Sequence, residues 1–135
     1  LWRFGYAFKA EVAIDYVKHH KLKLPLNNEP LDEAPTWEEV DSRRKYKSTG
    51  GGMFAAALCL TARDLSKKSG VQLDTAQTLA FSRNFVVYLW TNYNYDERFR
   101  QCPDYDFALN TLDEALKPFS GVTVKPLWYI DLEND

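Results

Sequence analysis

Apolar residues return at helical spacing over much of the chain. Phe4, Phe8 and Val12 recur every fourth residue, and Ala10, Ile14 and Val17 form a neighbouring stripe. The spacing predicts a helix through residues 1–20. Gly5 weakens its start and moves the beginning toward Ala7. Lys and Leu then alternate through "KLKLPL", which predicts a short extended piece near residues 21–26, and Pro25 places it at an edge. "NNEPLDEAP" reads as a loop. Thr36 is the expected N-cap of a short helix from Trp37 to Lys47, with Glu39 completing a capping box.

"STGGG" breaks the pattern, and a helix from Met53 to Ser69 follows. Phe54, Ala57, Leu58, Thr61 and Leu65 make its buried stripe, and Lys67, Lys68 and Gly70 make its end. Asp74 and Gln77 have the spacing of a cap for a further helix, Thr75 to about Tyr93. "LAFSRNFVVYLW" within it is apolar almost all round, as a central buried helix would be. A strand is the rival reading for "FVVYLW", given its β-branched and aromatic content. "TNYNYDERFRQCPDYD" is a polar, aromatic-rich connection. Asp104 or Asp106 then caps a helix buried through Ala108, Leu109, Leu112, Ala115 and Leu116, ended by Ser120 and Gly121. A second strand-like piece, interrupted by Pro126, falls near residues 122–130.

The expected fold is therefore mainly α, α+β at most. It is a compact bundle of four to five helices with one or two short edge strands near residues 21–26 and 122–130, able to pair with each other. Residues 1–135 read as a single globular domain, long enough to bury a core without metals or disulfides. Aromatic residues reach 15% of the sequence, which points to an aromatic core with a Tyr-lined surface.

Charge refines the picture locally. The formal net charge of −2 supplies no global field for nucleic acid or an anionic membrane. Acids cluster in "LDEAPTWEEVD" and bases follow in "SRRKYK". On a short helix those blocks match the dipole at each end, which explains the cations without any ligand. No apolar run approaches the roughly 20 residues needed to span a bilayer. The sequence starts without an initiator Met or a basic-then-apolar leader, which fits a processed or trimmed chain. A soluble protein is expected, with the cytoplasm slightly favoured.

Candidate chemistry is sparse. Cys59 lies in the apolar run, where a thiol acts as a small hydrophobe, and the sequence does not decide whether it pairs with Cys102. His19 and His20, the two histidines, lack carboxylate or thiol neighbours at metal-ligand spacing, so no metal site is expected. Glycines feeding a helix can hold an anion, with Arg43, Arg44, Lys47, Ser48, Thr49, Gly50, Gly51 and Gly52 as the candidate residues. A P-loop would need a lysine after the glycines, and Met53 stands there. "KYKSTGGGMFAAALCLTARDL" loosely resembles the acyl-CoA-binding turn of acetyltransferases, which precedes an Ala/Leu-rich helix. That family sets a hydrophobic strand directly before the turn, whereas residues 26–47 offer an acidic loop and a helix.

A second candidate surface combines Tyr93, Tyr95, Asp96, Glu97, Arg98 and Arg100, residue types favoured at protein interfaces. The primary expectation is a non-catalytic protein–protein interaction or regulatory protein: an inhibitor, immunity or accessory factor of viral or mobile-element type. One alternative is a small enzyme or ligand-binding module holding a phosphate-containing ligand at Gly50–Gly52. A second is a nucleic-acid-binding factor using Arg43–Lys47, which the net charge disfavours. Another protein is the expected partner. No cofactor and no catalytic residue is assigned, and the reading leans away from an enzyme.

Overall fold

The computed structural model describes residues 1–24, 30, 33–36, 39, 50–78, 85–119, 122 and 125–130, with backbone alone at residues 10 and 50–55. The elements in chain order are β1 (Trp2–Phe8), α1 (Ala10–His19), α2 (Gly50–Ser69), β2 (Asp74–Gln77), β3 (Phe85–Thr91), α3 (Tyr95–Gln101), α4 (Tyr105–Leu116) and β4 (Leu127–Ile130). The strands form one antiparallel sheet in the order β2-β3-β1-β4. The fold is α+β, and the expectation of a mainly α-helical bundle is wrong.

Two readings of periodicity account for the error. Residues four apart share a face in a strand as well as in a helix. Phe4 and Phe8 belong to the alternation Phe4, Tyr6, Phe8 on β1, in which Tyr6 and Phe8 are fully buried and Phe4 partly so. The helix begins only at Ala10. In β3, Val86 and Val87 are both 1% exposed, so neighbours on opposite faces of the sheet are covered. A strand buried on both faces is apolar all round and mimics a buried helix. The β-branched and aromatic content of "FVVYLW" was the discriminating signal. Asp74 opens β2 and caps no helix.

The edge pieces also pair differently from expectation. Lys23 forms a bridge with Thr36, and the Leu24 N–H donates to the Pro35 carbonyl at 2.7 Å. The C-terminal piece, β4, pairs with β1. The Thr36 cap is present: its hydroxyl accepts the Glu39 N–H at 3.3 Å, and Glu39 is helical. The rest of the Trp37–Lys47 helix lies outside the described residues.

Helix α2 starts at Gly50, three residues before the predicted Met53. Glycine is a poor helix former, but helices in proteins draw most of their stability from packing. Here α2 packs against both α1 and α4. Thr61, on the face toward α1, donates its hydroxyl to the Ala57 carbonyl at 2.8 Å. Asp104 caps α4 as predicted, accepting the Phe107 N–H at 3.0 Å, and Ala108, Leu112 and Leu116 are its buried residues. That helix ends at Leu116, and the expected stop at Ser120 and Gly121 lies outside the described residues. Side chains from one face of β1 and β3 join α1, α2 and α4 in the core. Cys59 is exposed, and Cys59 and Cys102 are both free thiols. No described helix is long and apolar enough to cross a membrane.

Candidate functional site: an aromatic cleft beside the edge strand

A β-bulge builds the site. The register between β1 and β3 shifts at Phe4/Gly5, so Gly5 faces Tyr88, Phe4 faces Trp90, and Leu89 is the extra residue. A bulge re-aims side chains. Here Leu89 and Trp90, adjacent in sequence, both enter the core. Gly5 permits the close approach: a Cβ there would lie 2.0 Å from the Val87 carbonyl oxygen. The Arg98 guanidinium donates to the carbonyl of the extra residue, Leu89, at 2.6 Å and pairs with Asp74 at 2.8 Å. Helix α3 is thereby pinned across β2 and β3.

Around Trp90 the rings accumulate. Phe4 stacks on it at 5.4 Å between centroids and 5° between planes, and Tyr105 stacks at 5.7 Å and 25°. Tyr95 and Phe99, one turn apart on α3, meet its edges at 5.4 and 5.8 Å. Trp128 of β4 closes the far side against Phe4 at 5.3 Å. Together these six residues line an open cleft of about 290 Å³. Tyr95, Phe99 and Trp128 are each 42% exposed, whereas Trp90 is 3% exposed. The Trp90 indole N–H is buried and finds no acceptor among the described residues. Ile130, two residues from Trp128 and on the same face of β4, extends the apolar surface.

The turn into α3 is held by its own polar groups. Asn92 Oδ1 accepts the Trp2 N–H at 2.9 Å, and Asn94 Oδ1 accepts the Thr91 N–H at 2.7 Å. Tyr93 at its tip is 84% exposed.

The predicted partner surface therefore divides. Tyr93 and Tyr95 are exposed beside the cleft, and Asp96, Glu97 and Arg100 are exposed on α3. Arg98 is a structural tether. Sequence reasoning missed Phe4, Trp90, Phe99, Tyr105 and Trp128, which meet through the bulge, the β1–β4 pairing and the packing of α3 and α4 on β3. Their signal was the high aromatic content and, for Phe99 and Tyr105, their place in the aromatic-rich stretch 91–106. Of the predicted anion residues, Gly50, Gly51 and Gly52 form the first turn of α2, so they are helical and no loop. Arg43, Arg44, Lys47, Ser48 and Thr49 lie outside the described residues.

A polar network joins α1 to α2. The Tyr16 hydroxyl donates to Asp64 Oδ2 at 2.6 Å, and Lys68 Nζ reaches the same carboxylate at 2.8 Å and the Tyr16 oxygen at 3.1 Å. Burial, then the bond to Asp64, push the Tyr16 hydroxyl far above its ordinary value. A tyrosine so held keeps its proton and is a poor acid or base at neutral pH. Burial alone would raise the Asp64 carboxyl, but bonds from Lys68 and Tyr16 outweigh it and hold the group below its usual range. His20, with its ring 4.4 Å from Tyr16, is lowered by burial and by Lys68. The network is a lock between helices. Tyr6 makes a similar bond to Asp113 of α4 and is also held protonated, first by burial. Among the described residues no group of His, Cys, Asp and Glu is placed to hold a metal ion.

Comparison of the chain with protein-family models, with curated proteins and with solved structures finds no match.

Proposed function

We propose that the protein is a non-catalytic protein-interaction module whose aromatic cleft holds an extended segment of another protein, one carrying apolar and basic side chains. The observation that carries this reading is the half-exposed ring cluster at Tyr95, Phe99 and Trp128, set on a fully buried Trp90. Contiguous exposed apolar surface of this kind marks interaction sites. Aromatic-lined grooves suit extended, proline-containing segments. Charge supports the basic character of the partner. Asp96 and Glu97 follow Tyr95 in sequence and Asp104 and Asp106 flank Tyr105, while Arg98 is engaged with Asp74 and leaves Arg100 as the opposing cation on these helices.

The test is selection from a displayed peptide library against the parent and a Tyr95→Ala/Trp128→Ala variant. Both substituted side chains are partly exposed, so the variant should fold. Peptides rich in Lys or Arg with Pro or aromatic residues should be enriched on the parent and bind the variant at least about tenfold more weakly, a loss of about 1.4 kcal/mol. Enriched peptides that bind both proteins equally, or no enrichment at all, would refute the reading.

A further inference from the structure

A separate hollow of about 230 Å³ lies between the end of α1 and the second half of α2. Leu22 and Leu60 supply its apolar lining. Lys21, Lys23, Arg63 and Lys67 supply four cations around it. Asp64 is the one carboxylate among the described residues of the lining, and it is already neutralised by Lys68 and bonded by Tyr16. In a chain of net charge −2 this is a concentrated positive site.

The helix dipoles account for cations near the ends of α1 and α2, Lys21 and Lys67 among them, but not for Arg63 or for the convergence of all four on one hollow. Arg63 and Lys67 stand one turn apart on α2, where like charges repel. Lys21 has a positive φ of 51° and sits just past α1, with the next N–H, Leu22, bonded back to the Val17 carbonyl at 3.0 Å. Glycine is the usual residue in such a helix stop, because side chains are strained there. Lys23 is fixed by its bridge to Thr36 and by its buried neighbour Leu24. Two elements thus converge cations on one space without a pairing carboxylate among the described residues that line it.

We propose that this hollow binds a small phosphorylated organic molecule. The phosphate is held by Lys21, Lys23, Arg63 and Lys67, and the apolar part of the ligand lies on Leu22 and Leu60. Guanidinium and ammonium groups are the standard partners of phosphate oxygens, Arg through paired N–H groups and Lys as a point charge. The volume lies below the range of drug-sized pockets, which limits the ligand to about the size of a sugar or glycerol phosphate. This site is distinct from the aromatic cleft and from the glycine turn.

The test uses the whole chain, with inorganic phosphate, pyrophosphate and glycerol 3-phosphate added in turn at fixed ionic strength. Melting temperature and calorimetric affinity are read for the parent, for Arg63→Gln/Lys67→Gln and for a control, Lys125→Gln. At least one phosphate should raise the parent's melting temperature by several degrees at saturation. The double variant should lose about tenfold or more in affinity. The control should match the parent. Without ligand the double variant should melt no lower than the parent, because it removes a like-charge pair. No rise with any of the three phosphates overturns the proposal. So does equal affinity in the double variant, or a single-stranded oligonucleotide that binds more tightly than all three. A Tyr95→Ala/Trp128→Ala variant should bind phosphate normally, which separates this site from the peptide cleft.

Discussion

Gly5→Ala removes nothing from the protein and adds one methyl group, yet it should be among its most damaging substitutions. The added carbon would lie 2.0 Å from the Val87 carbonyl oxygen, 2.5 Å from Tyr88 Cα and 2.8 Å from the Val87 carbonyl carbon. Ordinary contact begins near 3.4 Å, so β1 and β3 must part by more than an ångström. All three obstacles are backbone atoms of the paired strand and have no rotamer to change. Overpacking commonly costs about 1–3 kcal/mol. With rigid obstacles at the centre of the sheet, about 3 kcal/mol is expected, out of a total stability of roughly 5–15 kcal/mol. In urea, with a slope near 1.5 kcal/mol/M, the unfolding midpoint should fall by about 2 M. Gly70→Ala is the matched control. Gly70 has a φ of 76° and nothing within 4 Å of the added carbon, so only conformational strain of about 1 kcal/mol applies. The ordering is diagnostic. If Gly5→Ala costs less than Gly70→Ala at unchanged slope, the bulge does not depend on the close approach at Gly5, and the account of how Trp90 is placed fails.

Arg98 and Arg100 are two residues apart and should behave differently. Arg98→Met breaks the bond to the Leu89 carbonyl and should cost about 1.5–3 kcal/mol in urea unfolding, with the half-exposed Asp74 pair adding little. Arg100→Ala, at an exposed position, should stay within about 0.5 kcal/mol, and equal costs would contradict the tether. Acid should weaken the protein in two stages. His20 is lowered in the fold by burial, Lys68 and His19, against the pull of Asp64. The unfolded chain therefore binds the extra proton first, and stability falls as pH drops below about 6.5. Asp64, also lowered, contributes stability that is complete above the ordinary carboxylate value and lost on acidification below it. His20→Gln should flatten the first stage in urea midpoints measured from pH 7 to 5; an unchanged slope would assign that stage to other groups.

Helices set by one local signal were legible in the sequence. Asp104 and the Ala108, Leu112 and Leu116 stripe define α4 without help from the rest of the chain. The Thr36–Glu39 cap was legible for the same reason. The sheet was not, because strand pairing is set by partners far away in sequence. Phe4 and Trp90 are neighbours only through the register of β1 on β3. Phe4 and Phe8 fit two periods at once, and Tyr6 was the residue that told them apart. The candidate site failed in the same way. A polar stretch with Tyr and Arg marked the right region of the surface, but charge alone could not show that Arg98 is spent on Leu89 and Asp74. Nor could it show that Asn92 and Asn94 hold the turn.

The placement of the cleft explains how exposed rings can serve recognition without collapsing into the core. Tyr95 and Phe99 rest edge-on against Trp90, and Trp90 is fixed by stacking on Phe4 and Tyr105. Phe4 and Trp90 are in turn set by the bulge, whose extra carbonyl is held by Arg98. Each exposed ring therefore has a buried ring or a strand behind it, and little side-chain freedom remains to be lost when a partner arrives. A surface ordered in advance keeps more of its contact energy as affinity. The cationic hollow follows the opposite logic. Ordering its long lysine side chains around an anion costs rotamer freedom, and attraction between full charges must make up that cost. One sheet and helix scaffold thus carries a rigid apolar site at the bulge and an adaptable charged one where α1 meets α2.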